Sequence, residues 1–185
     1  MKAAHIVIAV LVLMALGTGR KYASVRKELE KQRGAMSEAW DQVDDVLSKH
    51  AAAVSSLLEG IKADLRTQPQ IQQEIETACK MLVNGVPPEQ KIQANARLNA
   101  AVARLLLFSE TEPHAKSKQG FTYLESELTD AEGRIALPRR KYNEALEHYN
   151  AQIQQFPENV VASIAGLRRN DAYFKTEPGE VVPGK

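Results

Sequence analysis

The sequence has few of the residues on which disulfide-bonded, zinc-binding or β-rich folds depend. Its single cysteine, Cys79, excludes an intrachain disulfide and a cysteine-rich zinc site. Ten glycines, eight prolines and 5% aromatic residues are too few for a typical β-sandwich or barrel. With 24 basic and 23 acidic residues the net charge is +1, so no overall field attracts nucleic acid. In 185 residues this composition indicates one domain of long helices, with or without an anchor.

The beginning of the chain is far more apolar than the average. Eleven consecutive residues from Ile6 to Leu16 are apolar, and His5 is the only ionisable side chain between positions 3 and 19. Those 17 positions would form a helix of about 26 Å, close to the ~30 Å hydrocarbon core of a bilayer. Residues 1–20 are therefore predicted to be a transmembrane anchor in the inner membrane. A cleaved signal peptide is the alternative, because Ala15-Leu16-Gly17 is a small-x-small site.

Basic residues flank the apolar run unequally. Six lie between Arg20 and Arg33, whereas the N-terminal side offers only Lys2 and the amino terminus. The more basic flank usually remains in the cytoplasm. We expect the N-terminus outside and the rest of the chain in the cytoplasm.

Apolar residues recur at helical spacing, close to the coiled-coil repeat, through most of residues 21–169. Prolines and glycines divide this region into four amphipathic segments, which begin near residues 22, 71, 89 and 121. The predicted fold is all-α: an N-terminal transmembrane helix followed by an elongated up-down antiparallel four-helix bundle. Pro138 is expected to kink the last helix. Residues 170–185, which are rich in proline and glycine at their end, are predicted to be a disordered tail.

Two tyrosine-asparagine pairs lie seven residues apart on the fourth segment, Tyr142-Asn143 and Tyr149-Asn150. This spacing places both phenols on one seam, where Trp40 of the first helix is expected to pack near them. The pattern predicts a layer that locks the bundle, and Phe156-Pro157 marks its end.

An apolar run with two arginines follows that stop. Its candidate membrane-proximal residues are Val160, Val161, Ile164, Leu167, Arg168 and Arg169. Two interpretations are equally favoured: the segment lies on an anionic membrane surface, or it caps the core of the bundle.

No residue pattern predicts a catalytic, cofactor or metal site. A Gly-rich phosphate loop is absent, and no histidine is preceded at three positions by the glutamate of a di-iron motif. Asp41, Asp44 and Asp45 are interpreted as a solvated face of the first helix. The expectation is a protein that is not an enzyme and that has no cofactor.

Several motifs resemble the LemA family. They are TDAEGRIA (129–136), RRKYN (139–143), FPEN (156–159), AWDQVD (39–44) and Leu105-Leu106 with Pro113, Lys116 and Phe121. Departures at Lys49-His50, Ser55-Ser56, Glu112 and Pro138 indicate a divergent member. The resemblance implies a helical bundle anchored in the membrane with its N-terminus outside, and it implies no catalytic residues.

Together these expectations describe a non-enzymatic single-pass membrane protein whose cytoplasmic bundle is a scaffold for protein partners. The alternative is a membrane-surface module that binds anionic lipid or shapes the bilayer through residues 160–169. The expected partners are the lipid bilayer and proteins, not nucleic acid. The sequence is also compatible with a homo-oligomer.

Overall fold

The computed structural model describes residues 2–63, 65, 68–111 and 118–174, without the side chains of residues 2–4, 6–16 and 118. Five helices account for most of these residues: α1 (Lys2–Ile61), α2 (Pro69–Val83), α3 (Pro88–Thr111), α4 (Lys118–Gln152) and α5 (Glu158–Ala165). No strand occurs in these ranges. The prediction of an all-α fold is confirmed.

Helix α1 differs from the prediction because it is one helix of 60 residues, about 90 Å long. It has no break at residue 20, and it ends at Ile61. Over the described residues, no helix is both long enough and apolar enough to cross a membrane. The predicted anchor depends on residues 6–16, whose side chains lie outside the description.

The chain divides into two compact units, and α1 and α4 each contribute to both. Unit 1 comprises Met1–Glu38 and Glu144–Asp171. Its buried core consists of Val25, Leu29, Tyr149, Ile153, Val161 and Ala162, with Tyr22, Met36 and Leu167 packed against it. Helix α5 therefore packs on α1 through one face. It ends at Gly166, whose left-handed φ of 68° favours glycine and stops the helix.

Unit 2 comprises Ala39–Asn143 and Ala172–Lys185, the latter described as far as Phe174. The Ser48 hydroxyl on α1 donates to the Leu82 carbonyl on α2 at 3.4 Å. Trp40 contacts Tyr142, whereas His50, further along α1, meets Glu127 earlier on α4. Within this unit α1 and α4 therefore run antiparallel. Apolar residues recurring on all four helices form the core, for example Leu47, Leu82, Leu98 and Leu124.

Helix α4 continues through Pro138, and the kink expected there stays a prediction. The C-terminal segment departs further from expectation. Residues 170–174 have no regular secondary structure, but Ala172 and Phe174 are buried. The predicted disorder is therefore wrong for these five residues, because side chains of α4 bind the backbone of Asn170 and Phe174. Residues 175–185 lie outside the description.

Candidate interaction site

The two tyrosine-asparagine pairs of α4 define two candidate sites, one in each unit. Tyr142 and Tyr149 are both buried, as expected for phenols seven residues apart on one helix face. The asparagine after each tyrosine binds the backbone of the C-terminal segment. The first pair belongs to unit 2, and the second belongs to unit 1.

In unit 2, Asn143 binds both backbone groups of Phe174. Its Nδ2 donates to the Phe174 carbonyl at 3.0 Å, and the Phe174 N–H donates to Oδ1 at 3.1 Å. An asparagine side chain has one donor group and one acceptor group, so it can satisfy one residue of an extended chain. This geometry fixes both the position and the direction of the segment.

The Phe174 ring packs against two aromatic rings. Its centroid lies 6.4 Å from Trp40 in a stacked arrangement and 6.3 Å from Tyr142 edge-on. Trp40 and Tyr142 contact each other edge-on at 5.1 Å. Aromatic pairs at these separations contribute about 0.5–1.5 kcal/mol beyond the burial of their area. The cluster therefore holds the ring of Phe174 while Asn143 holds its backbone.

In unit 1, Asn150 makes the corresponding contacts with Asn170. Its Nδ2 donates to the Asn170 carbonyl at 2.5 Å, and the Asn170 N–H donates to Oδ1 at 3.0 Å. The Tyr149 hydroxyl donates to the Arg168 carbonyl at 3.1 Å. Three hydrogen bonds from one turn of α4 thus bind an extended segment that follows α5.

The LemA family model matches residues 39–183, most of the chain, including both tyrosine-asparagine pairs. The chain belongs to the LemA family. Magnetosome proteins MamQ 1 and MamQ 2 of Paramagnetospirillum magneticum are each 32% identical to it over 90 residues, 49% of this chain and 33% of theirs. Magnetosome protein MamQ of Magnetospirillum gryphiswaldense is 29% identical over 104 residues, 56% of this chain and 38% of the relative. The chain thus spans about a third of the length of these curated relatives.

The two phenols of this LemA-family chain differ in their hydrogen bonding. Burial raises the pKa of Tyr142 to about 12, and the nearby Tyr173 adds to the effect. Its hydroxyl is buried and has no hydrogen-bond partner among the residues that the structure describes. Burial also raises the pKa of Tyr149, although Arg33 opposes this shift. Both phenols therefore remain neutral near pH 7, and only Tyr149 uses its hydroxyl to bind the C-terminal segment.

The structure separates the residues predicted to be membrane-proximal into a buried set and an exposed set. Val161 is buried in the core of unit 1, and Leu167 packs against that core. Val160 and Ile164 remain 48% and 68% exposed on the other face of α5, and Phe156 before the helix is 82% exposed. Pro157 follows Phe156 through a cis peptide bond and caps α5. One helix thus shows features of both expected roles: it covers a core and presents an apolar surface.

The two arginines after α5 make local contacts. The Arg168 carbonyl accepts the Tyr149 hydrogen bond, and the Arg169 guanidinium pairs with Asp171 at 2.5 Å. Both residues therefore belong to the extended segment of unit 1.

Asn170, Ala172 and Phe174 are buried or bound residues that no sequence pattern predicted. Prolines and glycines at positions 178–184 indicated a disordered tail, and the whole of 170–185 was assigned to it. The pair Tyr173-Phe174 was the available signal, since two adjacent aromatic residues are unusual in a solvated tail.

Two further polar clusters lie in unit 2. The buried His50 has its Nδ1 3.1 Å from Glu127 Oε1, to which Arg134 Nη2 donates at 2.6 Å. The buried Lys91 ammonium pairs with Asp44 and joins α3 to α1. Where residues are described, no group of three or more His, Cys, Asp or Glu side chains is arranged to hold a metal ion.

Proposed function

We propose that this LemA-family protein is a non-enzymatic, single-pass membrane protein whose helices form an up-down antiparallel bundle in the cytoplasm and serve as a scaffold for protein partners. The main support for this proposal is that α1 is continuous from Lys2 to Ile61. One helix bears the apolar run near its start and then supplies core residues, including Val25, Leu29 and Val43. Such a helix connects the proposed anchor directly to residues of the helical core.

The anchoring part of the proposal has two supports. The run from Ile6 to Leu16 is followed by six basic residues up to Arg33, which favours an external N-terminus and an internal C-terminal region. The matched relatives are magnetosome proteins by name, which supports membrane association.

Large apolar side chains exposed on the helices of unit 2 support a docking role. They are Val83 on α2, Leu107 on α3, and Tyr123 and Leu137 on α4. Exposed aromatic and aliphatic side chains are typical anchors of protein interfaces.

Site-specific photocrosslinking in intact cells tests the scaffold. A photoreactive residue at Leu137 is expected to capture discrete partner proteins, whereas one at the exposed Glu132 on the same helix serves as the control. Absence of crosslinked proteins from Leu137, Tyr123, Leu107 and Val83 alike would refute the docking role.

Orientation has a separate test. A cysteine in place of the exposed Ser126, with Cys79 replaced by alanine, should resist a membrane-impermeant maleimide until the cells are opened. Labelling in intact cells would reverse the proposed topology.

A second candidate function is contact with anionic lipid through α5. Val161 and Ala162 pack with Val25 and Leu29 of α1, so α5 lies beside this part of α1. Val25 is six residues beyond Gly19, the end of the low-charge stretch, which corresponds to about 9 Å of helix. Headgroups occupy roughly 5–8 Å on each side of the hydrocarbon core. The exposed face of α5 would then be close to the membrane surface.

Reconstituted full-length protein can report that contact. An environment-sensitive dye is attached to a cysteine at position 164 or, as control, at the similarly exposed Val83, each in a Cys79→Ala background. In phosphatidylglycerol vesicles a blue shift at position 164 alone is expected. Equal spectra at both positions would exclude lipid contact by α5.

A further inference from the structure

Trp40, Tyr142 and Asn143 form a receptor for one residue of an extended chain, here called the aromatic acceptor. All three belong to unit 2, as does Phe174, which fills the acceptor. Asn143 binds the backbone N–H and carbonyl of Phe174, and the two aromatic rings contact its side chain.

These contacts define the chemistry of the ligand. The residue that enters must be extended, must have a backbone N–H and therefore cannot be proline, and must carry an aromatic ring. Residues 172–174 belong to unit 2 and have no helix or strand of their own. Contacts of Phe174 with Trp40 on α1 and with Tyr142 and Asn143 on α4 hold it in place. A segment of another protein with the same chemistry can make the same contacts with the acceptor.

When Phe174 fills the aromatic acceptor, one polar group of the acceptor has no hydrogen-bond partner. The Tyr142 hydroxyl, 1% exposed as a residue, has no hydrogen-bond partner in the described part of the chain. A buried polar group without a partner costs free energy, and pairing it strengthens binding by about tenfold. A second copy of this chain would present the same segment and leave the same hydroxyl unpaired. A partner segment with a hydrogen-bonding group within reach of this hydroxyl would gain a contact that Phe174 lacks.

We propose that the aromatic acceptor is a peptide-binding site whose partner ligand is an extended, aromatic-containing segment of another protein, and that Phe174 occupies it when this partner is absent. This inference rests on the proposed scaffold function and specifies the chemistry of one docking partner. Phe174 competes with the partner segment, so the partner must bind the acceptor more tightly than Phe174 does.

Trp40 provides a direct readout because it is the only tryptophan in the chain. In the full-length Phe174→Ala variant, loss of the stacked ring should shift Trp40 emission to longer wavelength. The synthetic peptide RNDAYFKT, which copies residues 169–176, should reverse the shift saturably. The same peptide with its phenylalanine replaced by alanine should bind at least tenfold more weakly. Wild-type protein should also bind RNDAYFKT at least tenfold more weakly than the variant, because Phe174 competes.

The matched control is Phe156→Ala, the same substitution at a phenylalanine that is 82% exposed and lies in unit 1. It should leave Trp40 emission and peptide binding at wild-type values. If circular dichroism shows that Phe174→Ala is unfolded, Phe174→Leu replaces it, since leucine keeps a buried side chain and removes the ring. Absence of saturable binding to the folded variant at millimolar peptide would overturn the proposal. Equal binding of the two peptides would do the same.

Two measurements separate the remaining outcomes. Light scattering should show no Phe174-dependent dimer as protein concentration rises; such a dimer would assign the acceptor to a second copy and overturn the partner assignment. If the acceptor inference alone is wrong, RNDAYFKT fails to bind while photocrosslinks at Leu137 persist. If the scaffold function alone is wrong, the peptide binds and the crosslinks are absent.

Discussion

Replacement of Asn150 by alanine should release the C-terminal segment of unit 1. The substitution removes the hydrogen bonds at 2.5 and 3.0 Å that Asn150 makes with the carbonyl and N–H of Asn170. Each bond contributes about 1 kcal/mol net, so the free energy of unfolding should fall by about 2 kcal/mol. For a chain of this size that corresponds to a decrease in Tm of about 4–8 °C. The loss stays moderate because the freed backbone of Asn170 can hydrogen-bond to water.

Amide hydrogen exchange measures the local effect. In the wild type the Asn170 N–H is bonded to Asn150 Oδ1, so its exchange should be slow; in Asn150→Ala it should accelerate by about 30-fold, the equivalent of 2 kcal/mol. Asn159→Ala is the matched control, because Asn159 is exposed on α5 and its replacement should change stability by less than about 0.5 kcal/mol. An unchanged exchange rate of the Asn170 amide in the Asn150→Ala variant would refute the proposed role of Asn150 in binding Asn170, even if Tm fell.

Three further predictions concern buried polar groups. Tyr142→Phe removes an unpartnered hydroxyl and should leave stability unchanged or slightly higher, whereas Tyr149→Phe removes the bond to the Arg168 carbonyl and should cost about 1 kcal/mol in denaturant titrations. The pKa of Tyr142 is raised from 10 to about 12 in the folded state, so the contribution of its neutral phenol to the free energy of unfolding is complete below pH 10 and is lost as pH rises through 12. Denaturant titrations at alkaline pH should therefore show a smaller loss of stability for Tyr142→Phe than for the wild type. Asp44→Ala leaves the buried Lys91 ammonium unpaired and should lower the free energy of unfolding by about 3 kcal/mol in the same titration. Lys91→Met should cost less, because the remaining Asp44 carboxylate is one-third exposed and can be solvated. Equal costs for the two variants would contradict this reasoning.

The helices of the fold could be predicted from sequence because their cores repeat regularly. Leu47, Leu82, Leu98 and Leu124 all lie on helical apolar stripes, and all are fully buried. Proline at Pro69 and Pro88 also marks where α2 and α3 begin. The length of α1 was harder to predict, because a change from apolar to basic composition at Arg20 does not interrupt a helix that lacks proline.

The C-terminal contacts could not be predicted in the same way. Asn143 and Asn150 bind backbone atoms, which every residue except proline offers equally, so no periodicity identifies Asn170 or Phe174 as their partners. The face of α5 that packs on the core could not be predicted either, since Val160 and Val161 are adjacent residues of the same type. Only packing against Val25 and Leu29 determines that Val161 is buried and Val160 is exposed.

Because α1 is uninterrupted, its length after the apolar run also determines the rotation of later residues around the helix axis. Each residue of an α-helix advances the axis by about 1.5 Å and rotates it by about 100°. Deleting Thr18 would therefore bring the next residues of α1 about 1.5 Å closer to the apolar run and turn them by about 100° around the helix axis. If the apolar run is an anchor, the number of residues between that run and Tyr22 therefore sets the direction around the helix axis in which Tyr22 and the residues that follow it point.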